Sequence, residues 1–438
     1  MTTLGLTITR LTDDGLKEVG EIRSLSTLKI GYTQITDAGL KSLSGLKCLT
    51  DLDLNFAHIS DAGLKELRGL ENLTVLQLVG TPITDGGLKE LSELKNLAIL
   101  SLRRTQITGM GLSHLKGLKK LEELYLDSNQ LADDGLKPLG QLTNLTTLDL
   151  SNSLITGENL GELSQLTRLK RLNLSDTKMT DVSVNALMRL PSLTTLDLSA
   201  TQFTDIGLRG LAELKTLTTL NLGNTKVTDL GLRHLSRLAE LTSLNLSQTQ
   251  ITDVGLKELR NFPNLTYLAL RGNQITDAGL KEIGNLTSLA TLHLGKTQIT
   301  DDGLKELREL KSLKELWLGS TGITDEGLKE LRELSDLRKL DLSDNQITDA
   351  GLNVLGELRN LRELYLNDLQ LTDASLSELR GLKHLTTLWV KNSQITDGGL
   401  KSLNELKNLT TLVLGGTQVT EAGERKLKDF LPNLEIER

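Results

Sequence analysis

Apolar residues in this chain fall on a 24-residue period that never slips. Eighteen copies of Leu-x-Leu run from Leu4 to Leu412, with Ile30 and Val390 standing for the second leucine in two of them. A fixed period of roughly 20 to 50 residues marks an array in which one supersecondary unit stacks on the next. The unit starting at Leu268, LALRGNQITDAGLKEIGNLTSLAT, carries two periodicities. Leu268 and Leu270 alternate with Ala269 and Arg271, as in a strand with one buried face. Leu280, Ile283, Leu286 and Leu289 then recur at about every third residue, the spacing of a short helix, and Ile275 joins the same buried layer. The pattern predicts an α/β solenoid of 18 strand-turn-helix repeats, with a parallel sheet on one side and helices on the other.

The turn phrase adds local chemistry. Asp37, Asp85, Asp205, Asp277 and Asp349 stand at one position, usually after Thr, just before the helical phrase. Thr-Asp there predicts an N-cap, with side-chain oxygens accepting from the free amides of the first turn. Gly follows two residues later (Gly39, Gly279, Gly351), through close packing or through backbone angles that suit it. Asn159, Ser183 and Ser375 replace it. Five residues after the leading leucine come Thr33, Thr81, Asn129, Ser153, Asn273, Asn345 and Ser393, a candidate polar ladder broken by Ala57 and Leu369.

A chain of 438 residues would ordinarily divide into two or three domains, but no linker or long charge run interrupts the period. The expectation is a single solenoid over 1–438. The net charge of −7 argues against a general nucleic-acid or anionic-membrane surface. No apolar run approaches membrane-spanning length. Cys48 is the sole cysteine, so an intrachain disulfide cannot form, and the short stretch before Leu4 leads to the expectation of no signal peptide. A cytoplasmic setting is the expectation, or secretion with a leader removed. Asn-x-Thr at Asn72, Asn144, Asn264 and Asn408 belongs to the repeat phrase and carries no message about glycosylation.

The phrase LxxLxLxxTxITDxGLKxLxxLxx resembles the leucine-rich repeat family, in its 24-residue bacterial-type form, over essentially the whole chain. The resemblance implies a curved, open solenoid that binds another protein on its concave sheet. The absence of insertions also fits a consensus or idealised sequence. Residues 420–438 turn polar at Glu421, Glu424, Lys426, Lys428 and Asp429 and read as a closing cap. The first strand has no comparable cover, so self-association through that N-terminal edge is a further expectation.

Because the fold fixes every buried position, information about a partner must lie on exposed strand positions and the rim beside them. Seven of the ten aromatic residues stand there: Tyr32, Phe56, Tyr125, Tyr267, Trp317, Tyr365 and Trp389. Tyr, Trp and Arg are the residues most enriched at binding hot spots. One column reads His293, Trp317, Asp341, Tyr365, Trp389 and Val413, a stripe about 24 Å long at roughly 4.8 Å per strand. Tyr267, Arg271, Lys296, Lys339 and Lys391 flank it. A secondary patch comprises Tyr32, Phe56, Val75, Val79, Ile99, Arg103, Arg104 and Tyr125. The repeats between present mainly Thr, Asp, Asn, Ser and Gly and read as spacer. The competing explanation for the rings is that they pack on one another and favour strand structure.

Catalysis is not expected. His58, His114, His234, His293 and His384 lie on separate repeats, and no nucleophile, metal or phosphate-loop spacing accompanies them. The reading is therefore a non-enzymatic protein-binding scaffold without cofactor or metal. Two alternatives stand beside it: a glycan-binding or adhesion module using Trp317 and Trp389 with Asp341 and Asn367, and an idealised scaffold without a natural partner.

Overall fold

The structure, a computed structural model, describes residues 2–438. It contains nineteen three-residue strands, and the chain divides into two compact units, Met1–Asn221 and Leu222–Arg438. In the first unit ten strands, Thr3–Gly5 to Thr219–Asn221, pair in parallel with their successors, setting Leu4 opposite Leu28 and Leu196 opposite Leu220. In the second unit nine strands, Ser243–Asn245 to Glu435–Glu437, do the same, with Leu244 opposite Leu268. The final strand has no Leu-x-Leu. Ile436 takes the leading place, opposite Leu412, so the segment read only as a cap also adds a strand. The cap proper is the helix Glu421–Phe430.

Strand centres and helix faces meet in one buried layer per unit. Leu268, Leu270, Ile275, Leu280, Ile283 and Leu289 are all fully buried, each contributing about 1.5–3 kcal/mol of burial free energy. The helical returns are short and mixed. Asp277–Ile283 is α-helical, Asp37–Leu40 passes into the 3₁₀ segment Lys41–Gly45, and Gly327–Glu333 is 3₁₀ throughout.

The Thr-Asp phrase divides its labour between repeats. Thr36, Thr276 and Thr372 cap their own helices, accepting from the amide two residues on. The Asp does not cap its own helix. Asp277 accepts from the backbone N–H of Thr300 at 2.8 Å and from its hydroxyl at 2.6 Å. Asp13 with Thr36 and Asp349 with Thr372 make the same clasp. Two such hydrogen bonds from Thr420 hold the Asp397 carboxyl below its usual range. The clasp also accounts for the glycines: a Cβ on Gly39, Gly303 or Gly351 would run into the preceding repeat's Asp carboxylate. Packing, not backbone freedom, selects Gly there. Where Gly109 and Gly157 replace the acid, the next caps, Ala132 and Thr180, make no side-chain cap bond.

The polar ladder is real only at its asparagines. Asn129 donates to Leu102 O in the preceding repeat at 2.7 Å and accepts from Thr105 Oγ1 at 2.9 Å. Asn273 and Asn345 repeat this with Thr249 and Thr321. Thr33, Thr81, Ser153 and Ser393 donate only to the carbonyl three residues earlier. A second amide column comes from the Asn-Leu-Thr phrases: Asn72, Asn144 and Asn408 donate to Lys47 O, Lys119 O and Lys383 O.

Four residues after each leading leucine the backbone turns left-handed, with φ between 48 and 75° in every copy from Ile8 to Gly416. Only Gly80, Gly272 and Gly416 are glycines there. Such angles cost an L-residue roughly 1–2 kcal/mol, while glycine gives back about 0.4–1 kcal/mol in unfolded-chain entropy. Ala200→Gly, at φ 54°, is therefore expected to raise stability by about 0.5–1 kcal/mol. An unchanged or lower urea midpoint for that variant would show that the turn is unstrained.

Candidate functional site

The strands Tyr267–Ala269, Thr291–His293, Glu315–Trp317, Glu363–Tyr365 and Thr387–Trp389 of the second unit carry one row of rings. Register sets His293 opposite Trp317 and Tyr365 opposite Trp389. Ring centroids lie 5.4 Å apart from Tyr267 to His293, 5.3 Å from His293 to Trp317, 5.3 Å from Trp317 to Tyr365 and 5.4 Å from Tyr365 to Trp389. All are tilted contacts, the geometry that ring quadrupoles prefer over a face-to-face sandwich.

The row differs from the column expected in three respects: Tyr267, expected at its flank, is its first link, Val413, expected at its end, is fully buried where the cap strand covers that edge, and Asp341 drops out. Asp341, on the strand between Trp317 and Tyr365, is not a link in it. Its Oδ1 accepts from the Ser343 amide at 3.0 Å, which holds the carboxylate toward its own turn, and the two rings meet across it. The rings are half-buried, neither sealed in the core nor fully displayed. Lys339 lies over Trp317 at 5.6 Å and Lys391 over Trp389 at 4.9 Å. Lys339 also pairs with Glu363 at 2.8 Å, and Glu363 accepts from the Tyr365 hydroxyl. Burial, then that hydrogen bond and the Glu363 charge, push the Tyr365 phenol well above its usual range. Arg271 stays exposed, its Nη1 leaning over Gly295; Lys296 is exposed at the left-handed turn position. Trp317 Nε1 is buried without a hydrogen-bond partner.

His293 sits inside this row with its pKa pushed down from 6.5 to about 4, first by burial and then by the charges of Arg271 and Lys339. It is therefore neutral near pH 7. Between pH 6.5 and about 4 the unfolded chain binds the proton and the folded one does not, so stability falls as pH drops through that window. His293→Asn should lose less stability across it than the parent. Parallel slopes of melting temperature against pH for the two proteins would refute the assignment.

In the first unit three sets of contacts involve residues of the secondary patch. Tyr32 and Phe56 stack at 4.4 Å, both at left-handed turn positions. Val75 and Ile99 are Cα partners on adjacent strands and half-buried. Arg103 pairs with the buried Asp127 at 2.6 Å and lies over Tyr125 at 5.7 Å. Tyr125 donates to Glu123, and burial followed by that bond pushes its phenol up to about 12. Arg104 is exposed at a turn, and Val79 is half-buried. The burial of Asp127 has no signal in the sequence.

Among the described residues, no group of three or more His, Cys, Asp or Glu side chains is placed to hold a metal ion. Among the same residues no helix is long and apolar enough to cross a membrane.

Comparison with known proteins returns leucine-rich repeats along the chain. The pattern described as a leucine-rich repeat region matches residues 204–378, and two related leucine-rich repeat patterns match 71–131 and 139–203, and 21–44, 45–67 and 381–403. A comparison with curated protein sequences gives no match. Among solved structures, an internalin from Listeria monocytogenes is 28% identical with a TM-score of 0.60, covering 76% of this chain and 94% of its own. A leucine-rich repeat protein of Leptospira interrogans is 28% identical with a TM-score of 0.54, covering 98% of this chain and 95% of its own. The leucine-rich repeat ectodomain of the Arabidopsis receptor kinase HAESA, solved with a peptide hormone ligand, shares the fold. Its TM-score is 0.51 at 19% identity, over 95% of this chain and 74% of its own.

Proposed function

Since this chain belongs to the leucine-rich repeat proteins, whose fold is typically a non-enzymatic binding scaffold, we propose that it binds a protein partner on the exposed face of its sheet, through the aromatic row of the second unit. The observation that carries the reading is the unbroken contact of Tyr267, His293, Trp317, Tyr365 and Trp389. Strand formation needs no such selection, and one residue after the leading leucine the first unit holds a single ring, Tyr125, among residues such as Asp53, Asp149 and Asp197. Aromatic anchors supported by their neighbours and edged by cations are the arrangement found at interface hot spots.

The glycan alternative is the less favoured. Stacking on a sugar needs an uncovered ring face. Here Lys391 lies over Trp389, which the tilted Tyr365 ring also contacts, and Lys339 lies over Trp317. The test is recovery of a partner from the source cells, followed by affinity measurement with Trp317→Ala and Trp389→Ala, beside a glycan array. Undiminished affinity in both variants, or array binding without a protein partner, would remove the proposal.

A further inference from the structure

Two residues before the leading leucine, at the entry to each strand, the chain most often places Thr. Its hydroxyl donates to the carbonyl of the equivalent residue one repeat earlier: Thr266 to Thr242 O at 3.1 Å, Thr386 to Arg362 O at 3.0 Å and Thr410 to Thr386 O at 3.1 Å. Three consecutive repeats of the second unit abandon this column for Lys314, Arg338 and Arg362. Each change gives up a hydrogen bond to the backbone. It also sets like charges on adjacent strands, roughly 4.8 Å apart, where they repel. No contact within the chain offsets this, because Lys314, Arg338 and Arg362 make no side-chain hydrogen bond or ion pair among the described residues. A local rule broken without a compensating contact marks a functional position.

The neighbouring column departs at the same place. Four residues before the leading leucine, Asn360 and Asn408 donate to Ser335 O at 2.9 Å and to Lys383 O at 2.7 Å. Asp336 and His384 stand in that column on either side of Asn360 and make no such bond. Asp336, Arg338, Asn360, Arg362 and His384 together line one open recess of about 180 Å³. We propose that this recess, which shares no residue with the aromatic row, binds a small phosphate or sulfate monoester whose organic part carries a hydroxyl. Arg338 and Arg362 supply planar donor forks matched to a tetrahedral oxyanion, and the exposed His384 ring offers an N–H in either tautomer. Asp336, when ionised, has only acceptors, so it repels a bare anion and accepts from a hydroxyl carried beside the ester. The recess therefore ranks a polyol phosphate above inorganic phosphate and above the uncharged polyol.

The full chain is titrated by calorimetry, at fixed ionic strength, with glycerol phosphate, glycerol sulfate, inorganic phosphate, inorganic sulfate and glycerol. Saturable binding is expected for the two esters, about tenfold tighter than for the inorganic anions, with none for glycerol. The double variant Arg338→Thr with Arg362→Thr restores the repeat's own residue, and the acceptors Lys314 O and Arg338 O are already in place. Its melting temperature should hold or rise while ester binding falls about tenfold or more. Lys170→Thr removes a cation from the same repeat position, between Thr146 and Thr194, and should bind as the parent does. Asp336→Asn should strengthen inorganic phosphate and narrow the ester's advantage. The proposal is overturned by absent ester binding, by full binding in the double variant, by an equal loss in Lys170→Thr, or by an ester preference that Asp336→Asn leaves untouched. Capture by vesicles of phosphatidylcholine and phosphatidic acid without a response to either soluble ester would overturn it too, since the ligand would then be a membrane. Trp317→Ala should leave ester binding unchanged, so this site and the partner site stand or fall separately.

Discussion

Alanine at Trp317 is expected to weaken partner binding by about 2 kcal/mol or more, close to thirtyfold in Kd, and to do so more than any other single truncation in the row. The indole touches His293 on one side and Tyr365 on the other, with Lys339 above it. Its loss removes an anchor and also frees the two neighbouring rings, each such ring contact being worth about 0.5–1.5 kcal/mol. Trp389 touches only Tyr365 and Lys391 within the row, so its truncation should fall at or just above 2 kcal/mol. Both indoles lean on Tyr365, so the double variant should lose less than the sum of the singles. Titration calorimetry beside urea unfolding separates affinity from stability. A Trp317→Ala protein that binds at parental strength would refute the anchor.

The largest stability loss is expected at Phe203. This ring is fully buried where other repeats place Ile, as at Ile251 and Ile299. A Cβ on Gly207 would run into it, so the ring fills the space down to the helix backbone and leaves little room for collapse. Phe203→Ala should cost about 3–5 kcal/mol, whereas Phe203→Ile, the repeat's own solution, should cost less than about 1.5 kcal/mol. Urea unfolding of the two variants would decide. Equal losses would mean that the site relaxes around any smaller side chain and that the close fit at Gly207 is unimportant.

Much of this architecture was legible because a strict period makes burial readable position by position: Leu268, Leu270 and Ile275 lie where their spacing placed them. Other features could not be read that way. The left-handed turn leaves no residue signature, since Tyr32, Asp176, Ala200 and Lys296 all adopt it. The clasp from Asp277 to Thr300 spans 23 residues, and nothing within one repeat distinguishes it from a local cap. The ring row was visible as a column, but not that Trp317 reaches past Asp341 to Tyr365, because that depends on rotamers and on the Ser343 amide capturing the acid. Within the early patch, Tyr32 and Phe56 stand on left-handed turns while Val75 and Ile99 stand on strands, a difference the period alone does not mark.

The clasp has a consequence for how such a chain can lengthen. A unit with the full phrase carries both halves of the joint, an acid for its successor and a threonine for its predecessor, as Asp277 and Thr276 do. A whole unit duplicated in place arrives already matched at both seams, whereas a single inserted codon shifts one partner away from the other. Growth by copying is thereby chemically free and growth by small insertion is penalised at once, which makes the unbroken rhythm a product of its own fasteners.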